Sequence, residues 1–130
     1  MYFIFGGRSQ GKLNYAKQLY GGELTVCDLK CCNIKDAFSA DILINIQEAV
    51  KFMLLTGESP AGYFKQNIDK FSGKVLIGDE IGCGIVPIDA FEREWRDETG
   101  WVYQFLASKA KRVDRVWAGI GQILKDEGAK

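Results

Sequence analysis

Met1-Tyr2-Phe3-Ile4-Phe5 runs directly into Gly6-Gly7-Arg8-Ser9-Gln10-Gly11-Lys12-Leu13, and this stretch decides the fold. Five apolar residues, a G-x-x-x-x-G-K loop and a helical segment read as strand, P-loop and helix in that order. In such a loop successive backbone N–H groups point into a concavity, and the following helix adds the positive end of its dipole. Gly6 and Gly11 permit backbone angles and a close approach that side chains would obstruct. Lys12 supplies a point charge for β- and γ-phosphates. Gly6, Gly7, Arg8, Ser9, Gln10, Gly11, Lys12 and Leu13 are therefore expected to hold the phosphates of a nucleotide, GTP or ATP. The last motif position departs from the pattern, because Leu13 stands where Ser or Thr is expected. The missing hydroxyl would bind Mg²⁺, which bridges the β- and γ-phosphates. Asn14 does not replace it, lying about 100° further round the helix. The motif thus predicts nucleotide binding and leaves Mg²⁺ and turnover open.

A chain of 130 residues is expected to form one domain, residues 1–130, with a real core. Hydrophobic residues at 47% and charged residues at 26% are ordinary for a globular protein. Lys and Arg number 17, as do Asp and Glu, so no net field draws the chain to nucleic acid or to an anionic membrane. No apolar run approaches a membrane span, and Met1-Tyr2-Phe3 lacks the basic start of a secretory signal. Cytoplasm is the expected compartment. Cys27, Cys31, Cys32 and Cys83 lack the paired C-x-x-C spacing of structural zinc, and there is no His, so they read as reduced thiols.

Further along, strand and helix alternate. Residues 24–28 and 41–45 read as strands, 47–55 as a helix stopped by Thr56-Gly57-Glu58-Ser59-Pro60, and 63–71 as an amphipathic helix. Residues 74–79 form the clearest later strand. A turn over Gly82–Pro87 leads to a helical region over 88–112, with Thr99-Gly100 as a candidate break. A last strand covers 113–118, before Gly119-Ile120-Gly121 and a polar tail; 30–40 reads as a loop with a short helix. This alternation implies an α/β fold, a mostly parallel sheet with helices on both faces.

An acid at the end of an apolar strand is the second element of a P-loop site. Val75-Leu76-Ile77-Gly78-Asp79-Glu80 fits, nominating Asp79 for a metal or a water and Glu80 as general base; the alternative is that these acids simply leave the strand for solvent. Lys12, Asp79 and Glu80 are the candidate catalytic residues, and Asp79 the candidate metal ligand. Arg93, Arg96 and Asp97, at i, i+3 and i+4, read as solvated pairs on a helix. Trp95, Trp101, Tyr103 and Phe105 read as core or interface rather than a stacking platform for nucleic acid.

The motifs occur in a recognisable order: Gly6 to Lys12, then Glu80-Ile81-Gly82-Cys83-Gly84-Ile85-Val86-Pro87, then Arg93-Glu94-Trp95-Arg96-Asp97-Glu98-Thr99-Gly100, Gln104, Ala107, Ala118-Gly119-Ile120 and Leu124-Lys125. The chain resembles the bifunctional adenosylcobinamide kinase / adenosylcobinamide-phosphate guanylyltransferase family of cobalamin biosynthesis. The resemblance is tight over about 75–125, good over 1–16 and weak between. It implies a P-loop, RecA-like domain and a ring-like homotrimer. It also implies a kinase that phosphorylates adenosylcobinamide, a corrinoid, and a guanylyltransferase working through a histidine. By resemblance Gly6 to Lys12 hold the nucleotide and Glu80 matches the glutamate beside the active site. The departures are equally specific. No His is present, and the chain is short between Asp28 and Asp41, where the family carries that histidine. The family's metal-binding aspartate aligns near Asn45, against the local choice of Asp79. Tyr103 stands for a family asparagine and Gly121 for a proline. Two readings stay open: a trimmed cobinamide kinase, or a catalytically degenerate homologue that binds a nucleotide or a partner.

Overall fold

Parallel strands buried on both faces must be apolar almost throughout, and four of the segments meet that demand. In the computed structural model, which describes residues 1–81 and 89–127, they form β1 (Tyr2–Gly6), β2 (Val26–Asp28), β3 (Ile42–Ile44) and β4 (Val75–Asp79). Two further strands, β5 (Arg112–Trp117) and β6 (Ile120–Asp126), complete a six-stranded sheet of order β2-β3-β4-β1-β5-β6. All pairings are parallel except β5 with β6. The helices are α1 (Lys12–Tyr20), α2 (Ile46–Leu55), α3 (Pro60–Asn67) and α4 (Ala90–Lys109). Short 3₁₀ turns lie at Ile34–Asp36 and Ile68–Phe71.

Alternation along the strands divides the core in two. Phe3, Leu43, Leu76 and Val113 point to the face covered by α2, α3 and α4, where Ile46, Val50, Met53, Phe64, Val102 and Leu106 pack on them. Ile4, Ile42, Val75, Ile77 and Val116 point the other way, onto Ala16 of α1 with Leu13, Tyr15 and Tyr20 around it. Among the described residues helices therefore lie on both faces, three on one and one on the other.

Several boundaries differ from the sequence expectation. The polar tail is in fact β6. Ala118 (φ 51°) and Gly119 (φ 76°) form a two-residue turn that pairs Trp117 with Ile120, and two successive positive φ values match the right-handed twist of a hairpin. Thr99-Gly100 does not break α4, which runs through 20 residues. Thr99 is buried against the core, and one exposed glycine costs only about 1 kcal/mol against that packing. Ser59-Pro60 starts α3 instead of merely ending α2: the Ser59 hydroxyl accepts from Gly62 N–H at 3.1 Å, and Pro60 takes the first helical position. The expected turn at Gly82–Pro87 lies outside the described residues.

Candidate functional site

The C-terminal ends of β1, β3 and β4 and the first turns of α1 and α2 meet at one edge of the sheet. Order explains it, because β4 sits between β1 and β3 and the chain leaves β1 and β3 into helices on opposite faces. Crevices at such a reversal are where open α/β sheets bind ligands.

Each loop residue has a local reason. Gly6 is needed by the sheet: a Cβ there would lie 2.3 Å from the Val116 carbonyl oxygen of β5. Gly11 caps α1 at φ 85°, a left-handed angle that favours glycine, and Ser9 also has positive φ at 59°. Gln10 ties the loop to the β5–β6 turn, its Oε1 accepting from Ala118 N–H and its carbonyl from Gly119 N–H, both at 2.7 Å. Gly7 offers its carbonyl to Lys12, while Arg8 is exposed and lines a polar cavity of about 410 Å³ with Lys30, Gln47, Glu48, Glu80 and Trp95. A second cavity of about 240 Å³ lies against Ser9–Asn14, Ile44, Asn45, Ile77 and Asp79.

Lys12 has 7% of its side chain exposed, and its ammonium is held 2.7 Å from Gly7 O and 2.7 Å from Asp79 Oδ1. A buried cation needs such a partner. Asp79 is in turn fixed by Gln47, a buried residue that sequence reasoning did not single out. Gln47 Nε2 donates to Asp79 Oδ2 at 3.3 Å and to Asn45 Oδ1 at 3.1 Å, and its Oε1 accepts from Asp79 N–H at 2.9 Å. Tyr103 Oη donates to the Asp79 carbonyl at 2.6 Å from α4, and Trp95 Nε1 to the Gln47 carbonyl at 2.7 Å. Burial first, then the negative charges of Asp79 and Glu80, push the Tyr103 phenol well above its ordinary pKa, so it stays a donor. The one available signal for Gln47 was its place at i, i+3 and i+7 with Val50 and Leu54, a polar residue on an apolar face.

Glu80 stands apart from this cluster. Its N–H donates to Gly6 O at 2.8 Å, and its carboxylate takes both Arg115 Nε at 2.9 Å and Nη2 at 3.2 Å. Arg115 also lies over the Trp117 ring, 5.0 Å from its centroid. Lys12 and Asp79 are thus brought together, and Glu80 faces β5.

The residues present do not fit a divalent cation. Leu13 packs against the α1-side core, and with Ile44 and Ile77 it gives the smaller cavity an apolar wall. Asn45 holds a left-handed φ of 65°, which its short carboxamide tolerates, and its Nδ2 donates to Asp28 Oδ1 at 2.7 Å. Both ends of that side chain are spent on protein partners. Among the described residues, no three His, Cys, Asp or Glu side chains converge where they could hold a metal. Three nearby carboxylates are engaged by the protein, Asp79 by the Lys12 ammonium, Glu80 by Arg115 and Asp28 by the Asn45 amide.

A model of the family described as cobinamide kinase / cobinamide phosphate guanyltransferase matches residues 59–124, just over half of the chain. The chain belongs to that family. The family has a P-loop NTPase fold, and the mostly parallel sheet described above is this family's architecture. The bifunctional adenosylcobalamin biosynthesis protein CobP of Pseudomonas aeruginosa is 38% identical over 53 residues, 41% of this chain and 31% of its own length. The bifunctional adenosylcobalamin biosynthesis proteins CobU of Escherichia coli and Salmonella typhimurium are each 45% identical over 51 residues, 39% of this chain and 28% of theirs. The chain thus matches under a third of the length of these curated relatives. The family match takes in Asp79, Glu80, Arg93, Arg96, Asp97 and Tyr103 and stops short of the loop at Gly6 to Leu13. No helix among the described residues is long and apolar enough to cross a membrane.

Proposed function

We propose that this member of the cobinamide kinase / cobinamide phosphate guanyltransferase family binds a nucleoside triphosphate, GTP or ATP, at Gly6 to Leu13 and serves cobalamin biosynthesis. The observation that carries the reading is the buried Lys12 ammonium, held at the mouth of a strand–loop–helix whose Gly11 takes a left-handed angle, beside a cavity of about 240 Å³. Lys12 would meet the terminal phosphates, and Arg8 and Lys30 offer further donors on the neighbouring polar cavity, which they share with Glu48, Asp79 and Glu80. Guanylyl transfer through an imidazole is not part of the proposal, because the sequence contains no His.

The missing metal donors at Leu13 and Asn45 favour a second component, a homologue that holds the nucleotide without turning it over. Phosphoryl transfer draws most of its rate from positioning and from metal electrostatics, and the second of these is poorly provided here. The competing kinase reading would have Asp79 and Glu80 supply what is lost and would take adenosylcobinamide as acceptor. Assembly with further copies, a trimer by family resemblance, belongs to the same proposal. It is supported by the exposed Trp117, Ile120, Ile123 and Leu124 on the β5–β6 hairpin.

Thermal unfolding with GTP, with ATP and without ligand, on wild type and Lys12→Ala, tests the binding. A ligand at one hundred times its Kd adds about 2.7 kcal/mol, and Lys12→Ala is expected to abolish that gain. No response to either triphosphate in the wild type sinks the proposal. Phosphorylation of cobinamide by the wild type would establish the kinase over the binder.

A further inference from the structure

We infer that this site takes its phosphate chain free of divalent cation, with Asp79 serving as the internal counter-ion of Lys12 that the incoming phosphate displaces. The inference rests on the proposed nucleotide binding and deepens it by specifying the ionic form of the ligand. Four positions carry it. Leu13 fills the helix position facing the loop with a hydrocarbon joined to the α1-side core. Asn45 presents a neutral carboxamide whose Nδ2 and Oδ1 are engaged by Asp28 and Gln47. Asp79 has Oδ1 on Lys12 at 2.7 Å and Oδ2 on Gln47 at 3.3 Å, with its peptide N–H and C=O held by Gln47 and Tyr103. Lys12 lines the smaller cavity, and Arg8 and Lys30 line the larger one opposite Glu48, Asp79 and Glu80, so the cation nearest the loop is the protein's own ammonium.

The geometry also says what Asp79 does before a ligand arrives. An ammonium that is 7% exposed needs an anion beside it, and the Asp79 carboxylate satisfies that need. A phosphate reaching Lys12 from the loop side replaces one anion with another. The residual Asp79 charge then repels the ligand, where in a metal site it would attract the complex. As a metal ligand Asp79 would strengthen binding in Mg²⁺; as a counter-ion it weakens binding with or without the metal.

Calorimetric titration of GTP and ATP into wild type and Asp79→Asn, each in Mg²⁺ and in excess EDTA, separates the two. The expected result is wild-type affinity that differs by less than about threefold between Mg²⁺ and EDTA. Asp79→Asn is expected to bind on the order of tenfold tighter in both. A wild-type affinity that rises tenfold or more in Mg²⁺, with that gain lost in Asp79→Asn, overturns the inference and makes Asp79 a metal ligand. The wild-type arms alone decide the cation question should Asp79→Asn fail to fold. No binding of either triphosphate under any condition overturns the nucleotide reading itself and this inference with it. Binding that survives Lys12→Ala unchanged places the ligand elsewhere and also overturns the inference.

Discussion

Gly78 and Tyr103 are matched at the level of single atoms. A Cβ at Gly78 would lie 2.2 Å from Tyr103 Oη and 2.5 Å from its Cζ, so the phenol reaches the Asp79 carbonyl only because residue 78 has no side chain. Gly78→Ala is expected to destabilise the protein by about 1–3 kcal/mol, read from urea unfolding. Adding Tyr103→Leu should recover part of the loss, since the atoms that clash are those of the ring. A full penalty persisting in the double variant would show that the cost lies elsewhere. Much of this residue-level chemistry was outside the reach of the sequence. Lys12 and Asp79 were visible as a motif and a strand-end acid. Their partner Gln47 was not, because its role depends on three elements far apart in the chain meeting at its amide. Asn45 was legible only through the family resemblance. Its left-handed backbone and its bond to Asp28 belong to the packing of β2 beside β3.

Elements were easier to read where period and punctuation agreed. The helix at 12–20 and the strand at 74–79 needed little more than their apolar pattern and flanking glycines. The misreadings came from local signals overruled by packing. Gly100 lies within α4, exposed, with open space where a Cβ would stand and without a positive φ. Gly100→Ala is therefore expected to stabilise the protein by about 0.5–1 kcal/mol in chemical denaturation. A neutral or destabilising outcome would mean that the helix face at residue 100 is covered. The hairpin at Ala118-Gly119 was missed for a related reason. Ile120 to Asp126 shows no clean alternation of apolar and polar residues, since Ile123 and Leu124 are adjacent and both exposed. Its strand character comes from pairing with β5, and Lys125 adds a tie to α4 by donating to the Ala107 and Ser108 carbonyls at 3.1 Å.

Over the whole molecule, phenols accumulate at buried and half-buried sites. Tyr20 is pushed up to about 12 from 10.0, by desolvation first and by Asp114 next, and its hydroxyl is buried without a hydrogen-bond partner among the described residues. Tyr15, Tyr63 and Tyr103 are raised as well, each chiefly by desolvation. A raised folded-state pKa means that the unfolded chain releases its phenol protons first. The stabilisation is then complete below the unfolded value of about 10 and lost as pH rises through the folded values. Urea midpoints attributable to these groups should hold level between about pH 8 and pH 9.5 and fall by about pH 11, with tyrosinate absorbance rising in step with unfolding. More than one of the five tyrosines ionising in the folded protein near the ordinary value would contradict the burial described.

The tie between Gln10 and the β5–β6 turn spans 108 positions of sequence. A ribosome delivers the glycine-rich loop well before the residues that brace it. Until the hairpin docks, the segment from Gly7 to Gly11 must pass synthesis as unbraced chain, because closing so long a span carries its entropic cost before any contact rewards it. The shape of the glycine-rich loop is thereby coupled to the docking of a hairpin far from it in sequence.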